Sequence, residues 1–328
     1  MAEFIVGNSI RKLARKHSFL RNFLWRLDYV LIWTLIKVFT LIPIDRASRM
    51  GDRVGRWVGS RLKRKSVIYR ENLSIAFPEM TEAQLEELVS SSWGRVGRIL
   101  AEYPHLATIL EEDERLVIEN RAPIATLQDP NRPCVMVSAH LSNWEVVCSA
   151  MAKLGIPNAS LYSPPTNPLL DQMLMDSRQA LNCQLVPRDN AARPLMKALM
   201  SGRTAGLVMD RRIDDGHPIR FFGRDKPSTL LPAKLALKFK CELVPAQVVR
   251  LEDACYRIIF HPPVTPTDPD ADEEARAVDM IQQVHAMFED WIRQNPADWF
   301  CSKRVWPKAS THQVKEAGTN ADIDSYAA

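Results

Sequence analysis

From Pro133 onward, short apolar and β-branched runs alternate with longer segments whose apolar residues recur every three or four positions. PCVMVSAH, NASLYS, CQLVPR, TAGLVMD, ELVPAQVVRL and CYRIIFHPPV read as strands, because short apolar runs bounded by turn formers suit a buried sheet. SNWEVVCSAMAKLG, NPLLDQMLMDSRQAL, AARPLMKALMSG, LLPAKLALKFK and DEEARAVDMIQQVHAMFEDWIRQN read as helices. Upstream, TEAQLEELVSSSWGRVGRIL opens on an N-cap threonine and acids, then carries Leu85, Leu88 and Val89 at helical spacing. Alternation of this kind predicts an α/β fold, a central and largely parallel sheet flanked by helices. No linker divides residues 71–307, which are expected to form one domain behind a basic region of residues 1–70. The polar stretch 308–328 is expected to be a disordered tail.

The run LDYVLIWTLIKVFTLIPI, from Leu27 to Ile44, is apolar apart from Asp28 and Lys37 and is closed by Pro43. As a helix it reaches ~27 Å, just short of a hydrocarbon core of ~30 Å. It lies too far from Met1, and lacks the small residues before a cleavage site, for a signal peptide. A spanning helix, a helix in the interface and a buried core helix all remain open. Arg11, Lys12, Arg15, Lys16, Arg21 and Arg26 before it, Arg46, Arg49, Arg53 and Arg56 after it, and Trp25, Tyr29 and Trp33 favour an N-terminal membrane-anchoring helix. The basic cluster continuing through Arg61, Lys63, Arg64 and Lys65 argues for a body on the cytoplasmic side.

Charge sharpens this picture. Residues 1–70 hold 16 Lys and Arg against 4 Asp and Glu, while the remainder holds 27 against 35. A basic first fifth on an acidic body points to an anionic partner such as a membrane surface. With 46% hydrophobic and 25% charged residues the composition is that of a globular protein, which excludes wholesale disorder and a polytopic membrane protein. The six cysteines form no CxxC pair and no zinc-like spacing, so neither a disulfide framework nor a metal site is expected. No glycine-rich phosphate loop is present, and no cofactor is implied.

Ligands of open α/β sheets bind at the carboxyl ends of strands, and His140, Ser163 and Asp210 each follow a predicted strand. The sharpest constellation is His140-Leu-Ser-Asn-Trp-Glu145. From the turn before the helix, Glu145 can fold back toward the imidazole, fix its tautomer and leave the other nitrogen free to take a proton. A base and an orienting acid without a nucleophile of their own suit acyl transfer in which the substrate hydroxyl attacks. Cys148, eight residues after His140, reads as packing rather than as an acyl-accepting thiol. His217 reads as a residue of the DDGHP turn.

Several blocks, in order, resemble the late acyltransferases of lipid A biosynthesis (lauroyl and myristoyl transferases), within the wider lysophospholipid acyltransferase superfamily. They are YRENLSIAFPEMT from Tyr69, SAHLSNWE around His140, NPLLDQM from Asn167, MDRRIDDGHPIRFFGR from Met209 and LVPAQVVR from Leu243. The likeness covers roughly residues 25–307. It implies the glycerolipid acyltransferase-like fold on the cytoplasmic face of the inner membrane, with His140 as general base and Glu145 as its partner. It further implies that the Asp210 segment and the Phe221-Phe222-Gly223 turn bind acceptor or acyl donor. Two departures bear on recognition: Ser163 stands where many relatives carry arginine, and Lys303-Arg304-Val305-Trp306 stands where many carry His-Arg-Arg-aromatic.

The expected reaction is O-acyl transfer from an acyl carrier protein or acyl-CoA thioester to an anionic glycolipid, with a lipid A precursor as first choice. Amide groups at the start of the Asn143 helix, or Arg211 and Arg212, are candidates to stabilise the oxyanion. Arg188, Arg211, Arg212 and Arg220 are candidates to clamp an anionic acceptor. An acidic carrier protein has two candidate docking surfaces, the Arg46–Lys65 cluster and the Lys234/Lys238 pair. A lysophospholipid or other glycolipid acceptor, and a non-catalytic lipid- or carrier-binding homologue, are the alternatives. Nucleic-acid binding is disfavoured by the apolar, aromatic stretch between the basic groups.

Overall fold

The computed structural model describes residues 10–120, 127–129, 131–178 and 183–307; the expected tail, 308–328, lies outside the described residues. Among the described residues six α-helices precede the first strand: α1 (Arg11–Lys16), α2 (Ser18–Thr40), α3 (Ile44–Arg61), α4 (Lys63–Ala76), α5 (Glu82–Glu102) and α6 (Leu106–Glu111). Then come β1 (Leu116–Asn120), β2 (Val135–Ser138), α7 (Val146–Lys153), β3 (Asn158–Tyr162), α8 (Pro168–Arg178), β4 (Gln184–Pro187), α9 (Ala192–Met200) and β5 (Thr204–Val208). A hairpin, β6 (His217–Phe221) and β7 (Arg224–Ser228), leads to α10 (Leu231–Phe239), β8 (Leu243–Arg250), β9 (Tyr256–Phe260) and α11 (Glu273–Gln294).

Seven strands form one sheet in the order β1-β9-β8-β2-β5-β3-β4. Every adjacent pair is parallel except β8–β9. The strands are continuously apolar because helices cover both faces: Val135 and Val137 of β2 enter one core and Met136 the other. The helix expected at Thr81 starts there, with Thr81 and Gln84 closing a reciprocal capping box. β1 and the β6–β7 hairpin are not anticipated by the sequence pattern. β1 is a short edge strand, and β6 and β7 break the apolar rhythm with Arg220, Arg224 and Asp225. The hairpin turns on Phe222 and Gly223, both at positive φ.

Of the three readings left open for the N-terminal apolar run, the structure bears on the spanning one. Among the described residues no helix is long and apolar enough to cross a membrane. The apolar run falls into α2, which stops at Thr40, and α3, which begins behind Pro43. Residue 70, where charge and motif place a domain boundary, falls inside α4.

Helix α3 lies against α5 through Gly51, Gly55 and Gly59, one turn apart, and Gly97. A Cβ on Gly97 would sit 2.0 Å from the Gly51 carbonyl oxygen, and one on Gly55 would sit 2.2 Å from that of Trp93, so the two backbones touch. The same helices hold a buried acid, Glu102, whose carboxylate takes two bonds from Arg250 of β8 at 2.7 and 3.1 Å. Ser48 of α3 donates to it at 2.6 Å, and the Tyr256 hydroxyl of β9 donates as well. A buried charge held by this many partners fixes the helical pair on the sheet, and loss of any one partner strands the others.

Gly97→Ala is expected to lower unfolding free energy by about 1–3 kcal/mol, as overpacking does. Arg53→Ala, on the exposed side of α3, is expected to change it by less than about 0.5 kcal/mol. Equal effects in urea denaturation would show that the close crossing carries no special weight.

Candidate active site

β2 and β5 are neighbours in parallel register, with Ser138 opposite Val208. Both strands end there, and the bond from the Met209 amide to the Ser138 carbonyl, 3.0 Å, carries the register one step further. Two residues beyond the last pair stand His140 and Asp210, 70 positions apart in the chain and side by side in space. The ring Nδ1 of His140 lies 2.5 Å from Asp210 Oδ1, and the His140 amide donates to the same oxygen at 3.0 Å. The other oxygen, Oδ2, accepts from the Trp299 indole at 2.9 Å. Both side chains are buried, with His140 9% exposed and Asp210 1%.

Burial alone would raise the Asp210 pKa, but attraction to His140 and Lys226 and the bonds from His140 and Trp299 outweigh it and hold the carboxyl well below the usual range. Burial lowers the His140 pKa; Asp210 opposes that shift and Arg211 adds to it, so the resting imidazole is neutral. An ionised carboxylate only accepts, so Nδ1 carries the ring proton and the Nε2 lone pair is free to take another. Trp144 meets the imidazole edge-on at 5.0 Å and stacks on Phe300 at 5.3 Å. One side of the ring is therefore apolar.

The C-terminal segment closes the site from behind. Phe300 donates to the His140 carbonyl at 2.8 Å, Ser142 to the Asp298 carbonyl at 2.9 Å, and Leu141 bridges to Trp299. Lys226 of β7 is fully buried, donates to the Asp210 carbonyl at 2.9 Å and lies 4.8 Å from the Phe221 ring centre. Burial pushes its pKa down to about 7, against the pull of Asp210.

Glu145 does not hold the imidazole. It sits at the N-cap of α7, and its carboxylate pairs with Arg178 of α8 through two contacts, one of them 2.9 Å. The reason is local: Ser142 at φ 51° turns the loop, so Trp144 reaches the ring while Glu145 points to α8. Asn143 is fully buried in the same loop. Arg211, next to Asp210, stands over the Phe300 ring at 5.6 Å and Arg188 follows β4, so both lie on the site's side of the sheet. Arg212 is tied to Asp214 at 2.7 Å and to the Trp306 carbonyl at 3.4 Å. Arg220 faces outward on β6, with Asp225 across the hairpin at 3.6 Å. Phe221 and Phe222 are buried against Trp299 and Trp306, so the turn expected to touch substrate is core. His217 opens β6 and faces Glu274 at 3.4 Å.

The sequence pattern does not single out Arg178, Lys226, Trp299 or Phe300. The aromatic pair Trp299-Phe300 was the one visible signal, while an isolated lysine in a polar hairpin carries none. Two shallow cavities, lined by Asn131, Pro133 and Met200 and by Gln184, Arg193 and Lys197, do not include His140 among their walls.

Residues 14–308 match the family model described as bacterial lipid A biosynthesis acyltransferase. A lipid A biosynthesis acyltransferase of Haemophilus influenzae is 22% identical over 80% of this chain and 83% of its own length. The lipid A biosynthesis lauroyltransferase of Escherichia coli is 26% identical over 56% of this chain and 60% of its own. The myristoyltransferase of the same organism is 22% identical over 60% and 61%.

Lys226 makes a pH-dependent demand on stability. Its folded pKa of about 7 lies below the ordinary 10.5, so between these values the unfolded chain binds a proton that the folded one does not. Stability is therefore expected to fall as pH drops from 10.5 to 7, and Lys226→Met to flatten that slope. Urea unfolding across this range checks it; an unchanged slope in the variant contradicts it.

Proposed function

The chain belongs to the bacterial lipid A biosynthesis acyltransferase family and is an acyltransferase, and from that premise we propose that it moves a fatty acyl chain from an acyl thioester to a hydroxyl of an anionic membrane glycolipid. A lipid A precursor is the acceptor that the names of its relatives favour, and an acyl carrier protein or coenzyme A is the donor. The observation that carries the mechanism is the contact between His140 and Asp210 at the ends of adjacent parallel strands.

In this reading His140 Nε2 takes the proton of the acceptor hydroxyl as its oxygen attacks the thioester carbonyl. The carbonyl π pair moves to oxygen, which becomes the oxyanion, and Asp210 balances the new imidazolium. When the tetrahedral intermediate collapses, the C–S bond breaks and the imidazolium proton goes to the departing sulfur, which restores the resting pair. General-base help of this kind contributes ~10²–10⁴-fold. Trp144 and Phe300 line the apolar side of the imidazole, where the acyl chain enters. Arg211 stands where it can meet developing negative charge.

Membrane association is part of the same proposal, with α2 lying in the interface. Phe19, Phe23, Leu27, Val30, Leu31 and Val38 are exposed along it, and Trp57 of α3 is exposed under the Arg61 guanidinium at 3.9 Å. An apolar stripe beside exposed arginines suits an anionic bilayer surface, and Arg46, Arg49, Arg53 and Arg61 are exposed on α3. The cytoplasmic leaflet is the side on which thioester donors occur.

His140→Ala is expected to lower kcat by ~10²–10⁴-fold. Since Asp210 raises the His140 pKa, Asp210→Asn is expected both to slow turnover and to move the acid limb of kcat/KM to lower pH. In the native protein that limb is expected below pH 6.5. Near-native turnover in His140→Ala, or an acid limb that moves upward in Asp210→Asn, contradicts the mechanism. Replacing Phe19, Phe23 and Val30 together by serine is expected to weaken sedimentation with anionic vesicles at least tenfold; unchanged sedimentation refutes the interfacial placement.

A further inference from the structure

Two cysteines that play no part in the His140 site meet beneath α7. Cys148 lies in the first turn of α7, and Cys183 stands immediately before β4, 35 positions further along the chain. Strand register brings them together. Ser160 of β3 is paired with Leu185 of β4, and paired residues of parallel strands point to one face of the sheet. Cys183, two residues before Leu185, points to that face as well. Helix α7 covers it: Cys148 Sγ lies 3.2 Å from the Ser160 hydroxyl oxygen. Both cysteines pack against the same core, beside Val147 and Met151. The Ser160 hydroxyl bonds to both sulfurs, and the two thiols bond to each other. Gly206 of β5 leaves room for that hydroxyl, since a Cβ there would sit 2.5 Å from it.

The bond between the thiols makes the two sulfurs unequal. The bond to Cys183, and then burial, push the Cys148 thiol well up. The bond from Cys148, helped by Ser160, brings the Cys183 thiol down against burial. Glu145 opposes a thiolate here, but its own charge is paired with Arg178. The other four cysteines, Cys134, Cys241, Cys255 and Cys301, are all pushed up by burial. Cys134 and Cys301 are buried as well, whereas Cys148 and Cys183 are half-buried and within reach of a small oxidant. A partly exposed sulfur held toward thiolate, with a second thiol against it, is the arrangement in which one sulfur is oxidised and the other resolves it.

We propose that Cys148 and Cys183 form an oxidisable dithiol whose substrate is a hydroperoxide, with Cys183 attacking and Cys148 resolving. The Cys183 thiolate attacks one peroxide oxygen, so an S–O bond forms as the O–O bond breaks. The departing oxygen takes the bond pair and the proton that Cys183 released, and leaves as water or, from an alkyl hydroperoxide, as an alcohol. Sulfur has then lost two electrons and the peroxide has gained them. Next the Cys148 sulfur attacks the sulfenic sulfur; the S–S bond forms, the S–O bond breaks, and the hydroxide leaves as water with the Cys148 proton. This second step needs no further oxidant, and exchange with a small thiol reverses the whole. The bond ties α7, which begins behind Trp144 and Glu145, to β4 at the edge of the sheet.

The test needs no turnover by the acyltransferase. Reduced full-length protein is treated with one equivalent of hydrogen peroxide, remaining thiols are blocked with iodoacetamide, and unreduced peptides are mapped by mass spectrometry. A Cys148–Cys183 link lighter by two hydrogens is expected, with Cys134, Cys241, Cys255 and Cys301 alkylated and the link undone by dithiothreitol. Links among other cysteines, links only between molecules, or full alkylation of Cys148 and Cys183 overturn the proposal. The order of attack is read with dimedone, which traps sulfenic acid. Cys148→Ser is expected to be trapped at Cys183, while Cys183→Ser is expected to be trapped at Cys148 at least about tenfold more slowly. Equal trapping rates overturn the assignment of Cys183 as the attacking sulfur. Wild-type protein unfolded in urea guards against a fault of folding in the variants: there the preference for Cys183 and Cys148 over the other four is expected to vanish, and its persistence would show that the fold does not create the pair.

Discussion

One hydrogen bond organises this molecule: Nδ1–H of His140 to the carboxylate of Asp210, at the mouth of two adjacent parallel strands. Neither residue owes its place to its neighbours in sequence. The pairing of Ser138 with Val208 sets both side chains at the same height, and a slip of one residue would turn them to opposite faces of the sheet. The central sheet is thus the device that builds the pair, and the helices on its two faces keep the register from moving.

Keeping that carboxylate ionised in a buried site needs help from distant parts of the chain. Trp299 donates from the C-terminal segment, and Lys226 donates from the hairpin to the backbone carbonyl of Asp210. Asn72 of α4 ties residues 301–305 down, and with them the stretch that carries Trp299 and Phe300. The block around Tyr69 therefore supports the segment packed behind the imidazole. Further out, the glycine-lined crossing of α3 and α5 and the buried Glu102–Arg250 pair join the N-terminal helices to the sheet. Helix α2, which carries the apolar stripe, is tied to this body where Asn167 donates to the Trp25 carbonyl at 2.9 Å.

The sheet and most of its helices are legible in the sequence because both faces of the strands are covered, so the apolar runs are unbroken and the turns between them are polar. His140 and Asp210 are also legible, as polar residues placed at strand ends. Their partnership is not, because it depends on strand order, and the order β8-β2-β5-β3 is not written in local pattern. Nearness in sequence points to Glu145, five residues from His140; a single residue at positive φ, Ser142, sends that carboxylate to Arg178 instead. Arg220 and the Phe221–Phe222 turn mislead for a similar reason. The hairpin that contains them alternates its side chains, which puts the arginine in solvent and the Phe221 ring in the core. Lys226 has no sequence signal, since its burial arises where the hairpin meets the segment after β5 and α11.

The direct test of the central claim is the imidazole itself. In 15N-labelled protein, nuclear magnetic resonance of the His140 ring should show the Nδ1–H tautomer with a strongly downfield proton at neutral pH. That signal should persist in Glu145→Gln and be lost or shift upfield in Asp210→Asn. Loss of it in Glu145→Gln, with survival in Asp210→Asn, would mean that the nearby acid and not the one across the sheet governs the base.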